Sequence, residues 1–264
     1  MTDLHGRFVW YELTTTDMPA AAAFYAAVVG WGTRDASMPG LPYTVFTDGD
    51  AAVCGTMPLP QAARQRGERP MWLGYIGVDD VDAAAERIQR LGGTVHVPPQ
   101  DVMDVSRFAI VSDPQMATFA LFKWQRPDRA QPIDMDTRSR VGWHELLAAD
   151  REQAWSVYSE LFGWQKTKTD AKGTYQQFAA GGQTLGGMMT KPATVPVAHW
   201  LYYFNVGDID AAAKRVKEAG GELLRGPTEM GDGYWSIECA DPLGALFALI
   251  GRRGVGYFPR VEAR

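Results

Sequence analysis

The chain of 264 residues is long enough for two domains, and its 46% hydrophobic and 22% charged residues are typical of a folded globular protein. The formal net charge of −5 argues against binding to nucleic-acid phosphates, and no segment approaches the ~18 consecutive apolar residues that would cross a bilayer. Cys54 and Cys239 are the only cysteines, so no disulfide framework is expected and a reducing cytoplasm is the expected compartment.

Strand and helix signals alternate along the first half of the chain. Residues 7–14 alternate apolar and polar positions as a strand does, and Asp17 is placed to cap an Ala-rich helix over 18–29 that ends at Gly30. A second unit follows the first. The remaining elements expected in this half are strands near 42–47 and 51–57, a strand over 72–78, a helix over 81–91 stopped by Gly92-Gly93, and strands near 94–97, 105–112 and 117–123.

The second half repeats the first. Trp10 and Trp31 correspond to Trp143 and Trp164 at a constant offset of 133 residues (143 − 10 and 164 − 31). A later block repeats at an offset of 128, since Trp72 matches Trp200 and Asp113 matches Asp241 (200 − 72 and 241 − 113). A fixed internal period of this kind indicates a repeated structural unit.

The repeat and the element order predict four βαβββ modules, two in each half, and an α+β fold class. We expect two tandem domains at 1–124 and 140–252, joined by a linker rich in Arg, Pro and Asp at 125–139 and followed by a C-terminal tail at 253–264.

The Asp-capped Ala-rich helices, the Gly-Gly stops and the late Asp113-Pro114 and Asp241-Pro242 turns resemble the vicinal oxygen chelate superfamily, which includes glyoxalase I, extradiol dioxygenases and bleomycin-resistance proteins. The Trp-x-Glu-Leu segments followed by Gly-Trp look closest to two-domain glyoxalase-like proteins of bacteria, such as a mycobacterial culture-filtrate antigen. The resemblance implies that each half forms a curved mixed sheet around a cup-shaped cavity.

In metal-binding members of this superfamily, three recurrent strand positions in each domain supply the ligands. The resemblance puts those positions at Trp10, Leu73 and Ala120 in the first half and at Trp143, Leu201 and Ala248 in the second. None of these side chains offers the carboxylate, imidazole or thiolate that a divalent cation needs. A small shift of the alignment would add a single donor, such as Glu12, His144 or His199. We therefore predict no cofactor, although a divalent metal is what the family implies.

Strand alternation indicates which side chains share a face with these positions. Glu12 shares the face of Trp10, Glu145 shares the face of Trp143, and His144 lies on the opposite face. The residues predicted to contact a ligand are Trp10, Tyr75, Arg107, Phe122, Trp143, His199, Tyr203 and Trp235. A lining of aromatic rings with one carboxylate in each half suits a small planar or apolar organic ligand.

Several of these residues have two interpretations. Glu12 and Glu145 are candidate catalytic acid/base groups, or they are buried carboxylates that bond neighbouring strands. His199 is either a site residue or a hydrogen-bonded part of the scaffold. Arg107, which stands where the second half has Trp235, either binds a ligand carboxylate or phosphate or pairs with Asp101 or Asp104.

The sequence therefore predicts a small-molecule binding protein of the glyoxalase and bleomycin-resistance type that acts without a metal. The alternatives are a lyase, isomerase or hydroxylase-like enzyme that uses Glu12 or Glu145, a metal-dependent glyoxalase or dioxygenase with a non-standard site, and a simple interaction module. No nucleic-acid or membrane partner is expected. Because one chain holds four modules, it can pair its own halves and complete the fold as a monomer, with a homodimer as the alternative.

Overall fold

The computed structural model describes residues 4–102, 105–126, 135 and 137–254. The first half contains β1 (Phe8–Thr15), α1 (Met18–Val28), β2 (Gly32–Asp35), β3 (Thr44–Asp48), β4 (Ala51–Pro58), α2 (Gln61–Gln65), β5 (Met71–Gly77), α3 (Val81–Arg90), β6 (Thr94–Val102), β7 (Ser106–Ser112) and β8 (Thr118–Trp124). The second half contains β9 (Val141–Ala148), α4 (Arg151–Phe162), β10 (Gln165–Thr169), β11 (Tyr175–Ala180), β12 (Gln183–Thr190), β13 (His199–Asp208), α5 (Ile209–Glu218), β14 (Glu222–Gly231), β15 (Tyr234–Ala240) and β16 (Leu246–Arg252).

The strands form two curved, mixed sheets of eight strands each. Their orders are β2-β3-β4-β1-β5-β8-β7-β6 and β10-β11-β12-β9-β13-β16-β15-β14. Within a module the first and last strands are parallel, as in β5 with β8 and β9 with β12, and the remaining pairs are antiparallel hairpins. This arrangement confirms the α+β class and the four βαβββ modules. The predicted linker and C-terminal tail fall largely outside the described residues.

Three elements were not foreseen in the sequence. Strand β2 (Gly32–Asp35) and strand β10 (Gln165–Thr169) are exposed at every position, so neither carries the apolar alternation by which a half-buried strand is recognised. The short helix α2 (Gln61–Gln65) has no side-chain cap and buries only Ala63. Among the described residues, no helix is long and apolar enough to cross a membrane.

An aspartate begins each long helix. The Asp17 side chain accepts a hydrogen bond from the N–H of Ala20, and Asp150 accepts from the N–H groups of Glu152 and Gln153. The equivalent caps on α3 and α5 are Asp80 and Asp208. These bonds satisfy N–H groups that have no partner inside the helix, which fixes where each helix leaves its strand.

The described residues divide into two compact units. Unit 1 comprises Met1–Glu12, Trp72–Asp134 and Trp143–Tyr202, and unit 2 comprises Leu13–Met71, Met135–Gly142 and Tyr203–Arg264, in each case as far as those ranges are described. Each unit therefore combines segments of both sequence halves, whereas each sheet is built from one half.

Inside unit 1, a buried tyrosine of the second half bonds a buried aspartate of the first. The Tyr158 hydroxyl donates to Asp113 Oδ2 at 3.2 Å and accepts from Trp200 Nε1 at 3.0 Å. The other Asp113 oxygen accepts from the N–H groups of Gln115 and Ala117, which shapes the Asp-Pro turn. Burial raises the pKa of Asp113, and these hydrogen bonds oppose the increase.

Unit 2 contains the equivalent contact by sequence offset. The Tyr25 hydroxyl donates to Asp241 Oδ2 at 3.3 Å, and Asp241 holds its own turn through the N–H groups of Leu243 and Ala245. The repeated Asp-Pro turn and the repeated tyrosine thus join one half of the sequence to the other inside each unit.

The two repeated tryptophans make a second pair of equivalent contacts. Trp164 Nε1 donates to the carbonyl of Gly6 at 2.7 Å in unit 1, and Trp31 Nε1 donates to the carbonyl of Ser139 at 2.8 Å in unit 2. Gly6 and Ser139 occupy equivalent positions, and both have positive φ values of 72° and 65°. The same backbone conformation is therefore used twice, once with glycine and once with a residue that rarely adopts it.

His144 lies fully inside unit 1. Its Nδ1 contacts the Leu185 carbonyl at 2.5 Å, its Nε2 contacts the Tyr11 hydroxyl at 2.5 Å, and the Phe8 ring stacks on the imidazole at 3.8 Å between centroids. A carbonyl only accepts, so Nδ1 carries the proton and Nε2 accepts from Tyr11. Burial lowers the pKa of His144 to about 3.

This environment predicts a specific loss of stability in acid. The folded pKa of His144 lies below the value of about 6.5 in an unfolded chain, so only the unfolded state binds a proton as the pH falls below 6.5. The stabilisation is fully present above pH 6.5 and is lost progressively toward pH 3. At pH 5 the loss amounts to about 2 kcal/mol of unfolding free energy.

Urea unfolding of the wild type and of His144→Phe between pH 7.5 and pH 5 measures this effect. The variant should start less stable, because Tyr11 and the Leu185 carbonyl lose a partner, and should then lose less stability with falling pH. Equal pH dependence of the two proteins would contradict the assignment.

Candidate functional site

The first strand of each half carries the candidate carboxylate. In β1, Tyr11 and Leu13 are fully buried on one face, whereas Trp10 is partly exposed on the other face. Glu12 is on the face of Trp10 and is only 8% exposed. Glu145 occupies the equivalent position in β9 and is 6% exposed. Both carboxylates are thus set into sheet surfaces beside a partly exposed indole.

Glu12 is bonded to Tyr75 inside unit 1. The Tyr75 hydroxyl donates to Glu12 Oε1 at 2.9 Å, so these two predicted site residues share one face. Phe122 packs edge-on against the Tyr75 ring at 5.6 Å between centroids, and Phe108 lies at 6.4 Å from it. Trp124 extends the row, at 4.8 Å from Phe122. We call Tyr75, Phe108, Phe122 and Trp124 the aromatic cluster.

Glu145 is also bonded to a tyrosine, but to one that lies on β11. The Tyr175 hydroxyl accepts from Trp143 Nε1 at 2.8 Å and bonds the Glu145 carboxylate. Burial, followed by the Glu145 charge, raises the pKa of Tyr175 well above its usual range. The Tyr175 ring lies over Gly187, where any Cβ would overlap it. Trp143, Tyr175 and Glu145 therefore form a hydrogen-bonded chain within unit 1.

The same ring-over-glycine arrangement occurs in unit 2, where the Tyr43 ring lies over Gly55. Tyr43 precedes Tyr175 by 132 residues, as Gly55 precedes Gly187 (175 − 43 and 187 − 55). The repeat thus extends to the β3–β4 and β11–β12 hairpins.

The positions that hold metal in the family do not suit a metal in this chain. Leu73 and Leu201 are buried alkyl groups, and Ala120 and Ala248 have no side chain beyond Cβ. Ala120 is the cross-strand neighbour of Tyr75, and Ala248 is that of Tyr203, which is 2% exposed. Over the described ranges, no three His, Cys, Asp or Glu residues come together as a possible metal site. The donor set does not fit a divalent cation.

The two histidines that a shifted alignment would bring in are placed differently. His144 is on the buried face with Tyr11, as its alternation with Trp143 predicts, and it is fully engaged there. His199 is partly exposed at the start of β13, where its Nδ1 contacts the Val197 carbonyl at 3.1 Å. No metal donor set forms around either ring within the described residues.

Arg107 faces away from the aromatic cluster. It alternates with Phe108 along β7, and its guanidinium forms a two-pronged ion pair with Asp82 of α3 at 2.6 and 2.8 Å. A further bond of 3.1 Å joins it to Asp101, one of the two partners that the sequence suggested; Asp104 lies outside the described residues. The arginine is therefore engaged in ion pairs on the helix side of the sheet.

Trp235, its counterpart in unit 2, is also engaged on the helix side. The Arg253 guanidinium lies over the indole ring at 4.6 Å and donates to Asp210 of α5 at 2.9 Å. In the second half, Arg253 stacks on Trp235 and pairs with Asp210. These two contacts take the place of the direct ion pair between Arg107 and Asp82.

Two residues of the site were missed in the sequence. Phe108 lies directly opposite Phe122 in the β7–β8 register, and the alternation that takes Arg107 to one face takes Phe108 to the other. Tyr175 lies in a hairpin whose repeat offset differs from that of the flanking segments. An alignment of Tyr43 with Tyr175 would have revealed it.

Comparison with known proteins gives the family. The sequence profile of the Glyoxalase/Bleomycin resistance protein/Dioxygenase superfamily matches residues 7–121 and 140–249. The chain therefore belongs to this superfamily, which confirms the resemblance seen in the sequence motifs.

Individual relatives match almost the whole length. A protein of Mycobacterium tuberculosis, provisionally named glyoxylase CFP32, is 32% identical over 91% of this chain and 93% of its own. The anthracycline biosynthesis protein DnrV of Streptomyces peucetius is 29% identical over 93% of each chain. The Mn(II)-bound glyoxalase from Novosphingobium aromaticivorans has a similar structure, with a TM-score of 0.62 and 14% identity over 94% of this chain and 82% of that one. This last similarity supports the fold alone.

The chain of hydrogen bonds around Glu145 predicts the effect of removing one hydroxyl. Tyr175→Phe should lower the free energy of unfolding by about 1–3 kcal/mol, because the Trp143 indole and the Glu145 carboxylate both lose a partner. Urea unfolding measures the change. Tyr234→Phe is the matched control, since Tyr234 is 40% exposed and should change stability by less than about 0.5 kcal/mol. If the two variants behaved alike, the bonds assigned to Tyr175 would be wrong.

Proposed function

We propose that this protein binds a small planar or apolar organic molecule and that it does so without a metal ion. The observation that carries the proposal is the environment of Glu12: a carboxylate bonded to Tyr75 at 2.9 Å, beside aromatic rings, on strands whose family metal positions hold Trp10, Leu73 and Ala120. An apolar surface with one oriented polar group is typical of small-molecule sites.

The side chains of the site have separate roles in this proposal. The partly exposed rings of Phe108 and Trp124 offer faces and edges against which a flat ligand can pack. Glu12, held by Tyr75, accepts a hydrogen bond from the ligand and so sets its orientation. Because the tyrosine fixes the carboxylate in advance, little side-chain freedom is lost on binding.

The relatives support a planar ligand more than a metal reaction. Two of them are named anthracycline biosynthesis proteins, and anthracyclines are flat, fused-ring aromatic compounds. The glyoxalase of similar structure is Mn(II)-bound, but the six positions that the family resemblance assigns to metal ligands carry no donor for such an ion here. We propose the cytoplasm as the compartment, on the ground that Cys54 and Cys239 are both buried free thiols.

A second candidate function is acid/base catalysis by the same carboxylate. The Tyr75–Glu12 hydrogen bond favours it, because a carboxylate and a phenol in contact can move a proton to or from a bound substrate. The substitution Glu12→Gln separates the two candidates. A binding protein would keep most of its affinity for an uncharged ligand, whereas an enzyme of this kind would lose turnover.

The metal-free proposal predicts the composition of the purified protein. Protein prepared without chelators should contain zinc, nickel, iron and manganese only at substoichiometric levels by elemental analysis, because the site lacks donors. Its unfolding temperature should be unchanged by EDTA and by added divalent cations, and should rise with planar aromatic compounds through mass action.

The control is Glu12→Gln, which should have the same metal content as the wild type. One equivalent of any of these metals, lost together with thermal stability on EDTA treatment, would refute the proposal.

A further inference from the structure

We propose that the ligand occupies the aromatic cluster of the first sheet only, one molecule per chain, and that it is a planar aromatic compound carrying a protonated nitrogen. This inference rests on the proposed function and adds two statements to it: which sheet binds, and the charge of the ligand. Neither statement follows from the repeat, which predicts two equivalent sites.

The register of the two sheets shows where the repeat breaks down. In the first sheet, β7 and β8 pair Phe108 with Phe122. In the second sheet, β15 and β16 pair Ser236 with Ile250 at the equivalent position. The offset of 128 residues relates both members of the pair (236 − 108 and 250 − 122). Two facing aromatic rings are thus replaced by a hydroxyl and an aliphatic group.

Two neighbouring positions on the same face also lose an apolar side chain, whereas Ser106 is replaced by Tyr234 at the same offset (234 − 106). Trp124 is replaced by Arg252, whose guanidinium lies over the Tyr234 ring at 4.7 Å. The hydrophobic Ile110 is replaced by Glu238, whose carboxylate is 3.4 Å from Arg225. The second sheet therefore presents Arg252 over Tyr234 and Glu238 beside Arg225 where the first presents Trp124 and Ile110, so the larger cluster of aromatic rings for a flat aromatic molecule is on the first sheet.

The charge of the ligand is inferred from the side chains on and behind this surface. Glu12 is an acceptor that favours a donor or a cation. The two basic residues of β7 and β8, strands described throughout, are both on the opposite face: Arg107 pairs with Asp82, and Lys123 donates to the Asp79 carbonyl at 2.6 Å. The aromatic face of these two strands is thus without a basic group of its own.

A positively charged ring system gains from both features of the surface. Its charge is attracted by the Glu12 carboxylate and by the faces of the aromatic rings, whereas an anion of the same shape is repelled by the carboxylate. The net charge of −5 on the chain also attracts a cation and repels an anion at long range.

Isothermal titration calorimetry with two rigid probes tests the inference. One is 9-aminoacridine, a planar aromatic cation at neutral pH, and the other is anthraquinone-2-sulfonate, a planar aromatic anion. We expect one equivalent of 9-aminoacridine to bind per chain and the anion to bind at least about tenfold more weakly, a difference of about 1.4 kcal/mol. High salt should reduce the difference between the probes.

Substitutions that exchange the residues of the two sheets locate the site. Phe108→Ser combined with Phe122→Ile gives the first sheet the pair found in the second, and should weaken 9-aminoacridine binding at least about tenfold. Ser236→Phe combined with Ile250→Phe is the reciprocal variant and should leave the original site unchanged. Because Phe122 is 5% exposed and its replacement can affect folding, Phe108→Ser alone, at a partly exposed position, provides an independent test.

The possible results distinguish a failure of this inference from a failure of the proposed function. Two equivalents of cation, or binding that survives Phe108→Ser and the double variant, would overturn the choice of the first sheet while leaving a small-molecule binding protein intact. Equal or tighter binding of the sulfonate would overturn the charge assignment alone. If neither probe bound, the inference would be rejected, and the proposed function would then be judged by its metal content and its thermal response to uncharged ligands.

Discussion

The structure depends on a buried hydrogen bond that joins the two sequence halves. In unit 1 it runs from Tyr158 to Asp113, and in unit 2 from Tyr25 to Asp241. In each case the same carboxylate closes its own Asp-Pro turn through two backbone N–H groups, so the turn, the helix and the neighbouring strand are fixed together. Buried polar groups are costly unless every donor and acceptor is satisfied. Here a single carboxylate accepts from three donors, one tyrosine hydroxyl and two backbone N–H groups.

The two faces of the sheets carry different kinds of side chain. On the helix side in unit 1, the rings of Phe119 and Tyr158 pack against each other at 5.5 Å between centroids. The opposite face carries the carboxylates Glu12 and Glu145 and the partly exposed indoles of Trp10 and Trp143. Strand alternation thus separates the face packed against the helices from the face that carries the two carboxylates.

Much of the fold could be predicted from the sequence, because its signals are local and are given twice. The aspartate caps, the Gly-Gly stops and the constant offsets define four modules, and alternation correctly predicted that Glu12 and Tyr75 share a face while His144 lies on the other. The exposed strands β2 and β10 could not be predicted, since their residues show no apolar period. Their positions are set by pairing with β3 and β11, which is a tertiary effect.

The site was predicted less completely than the fold. Arg107 drew notice because it breaks the repeat, yet it is engaged by Asp82, a residue 25 positions away that only the folded helix brings near. Phe108, its neighbour, has the more informative position. Phe108 is recognised as part of the aromatic cluster only from its pairing with Phe122 in the β7–β8 register. The second sheet has Ser236 at the equivalent position, and this register is a property of the folded sheet.

The central claim is that the face around Glu12 takes an organic molecule where metal-binding relatives take an ion. A crystal structure of the protein with 9-aminoacridine, grown in the presence of manganese, tests it most directly. We expect a flat ring system against Phe108 and Trp124 with its nitrogen toward Glu12, and no anomalous signal for manganese at that face. A manganese ion beside Glu12, or the ring system on β15 and β16 instead, would contradict it.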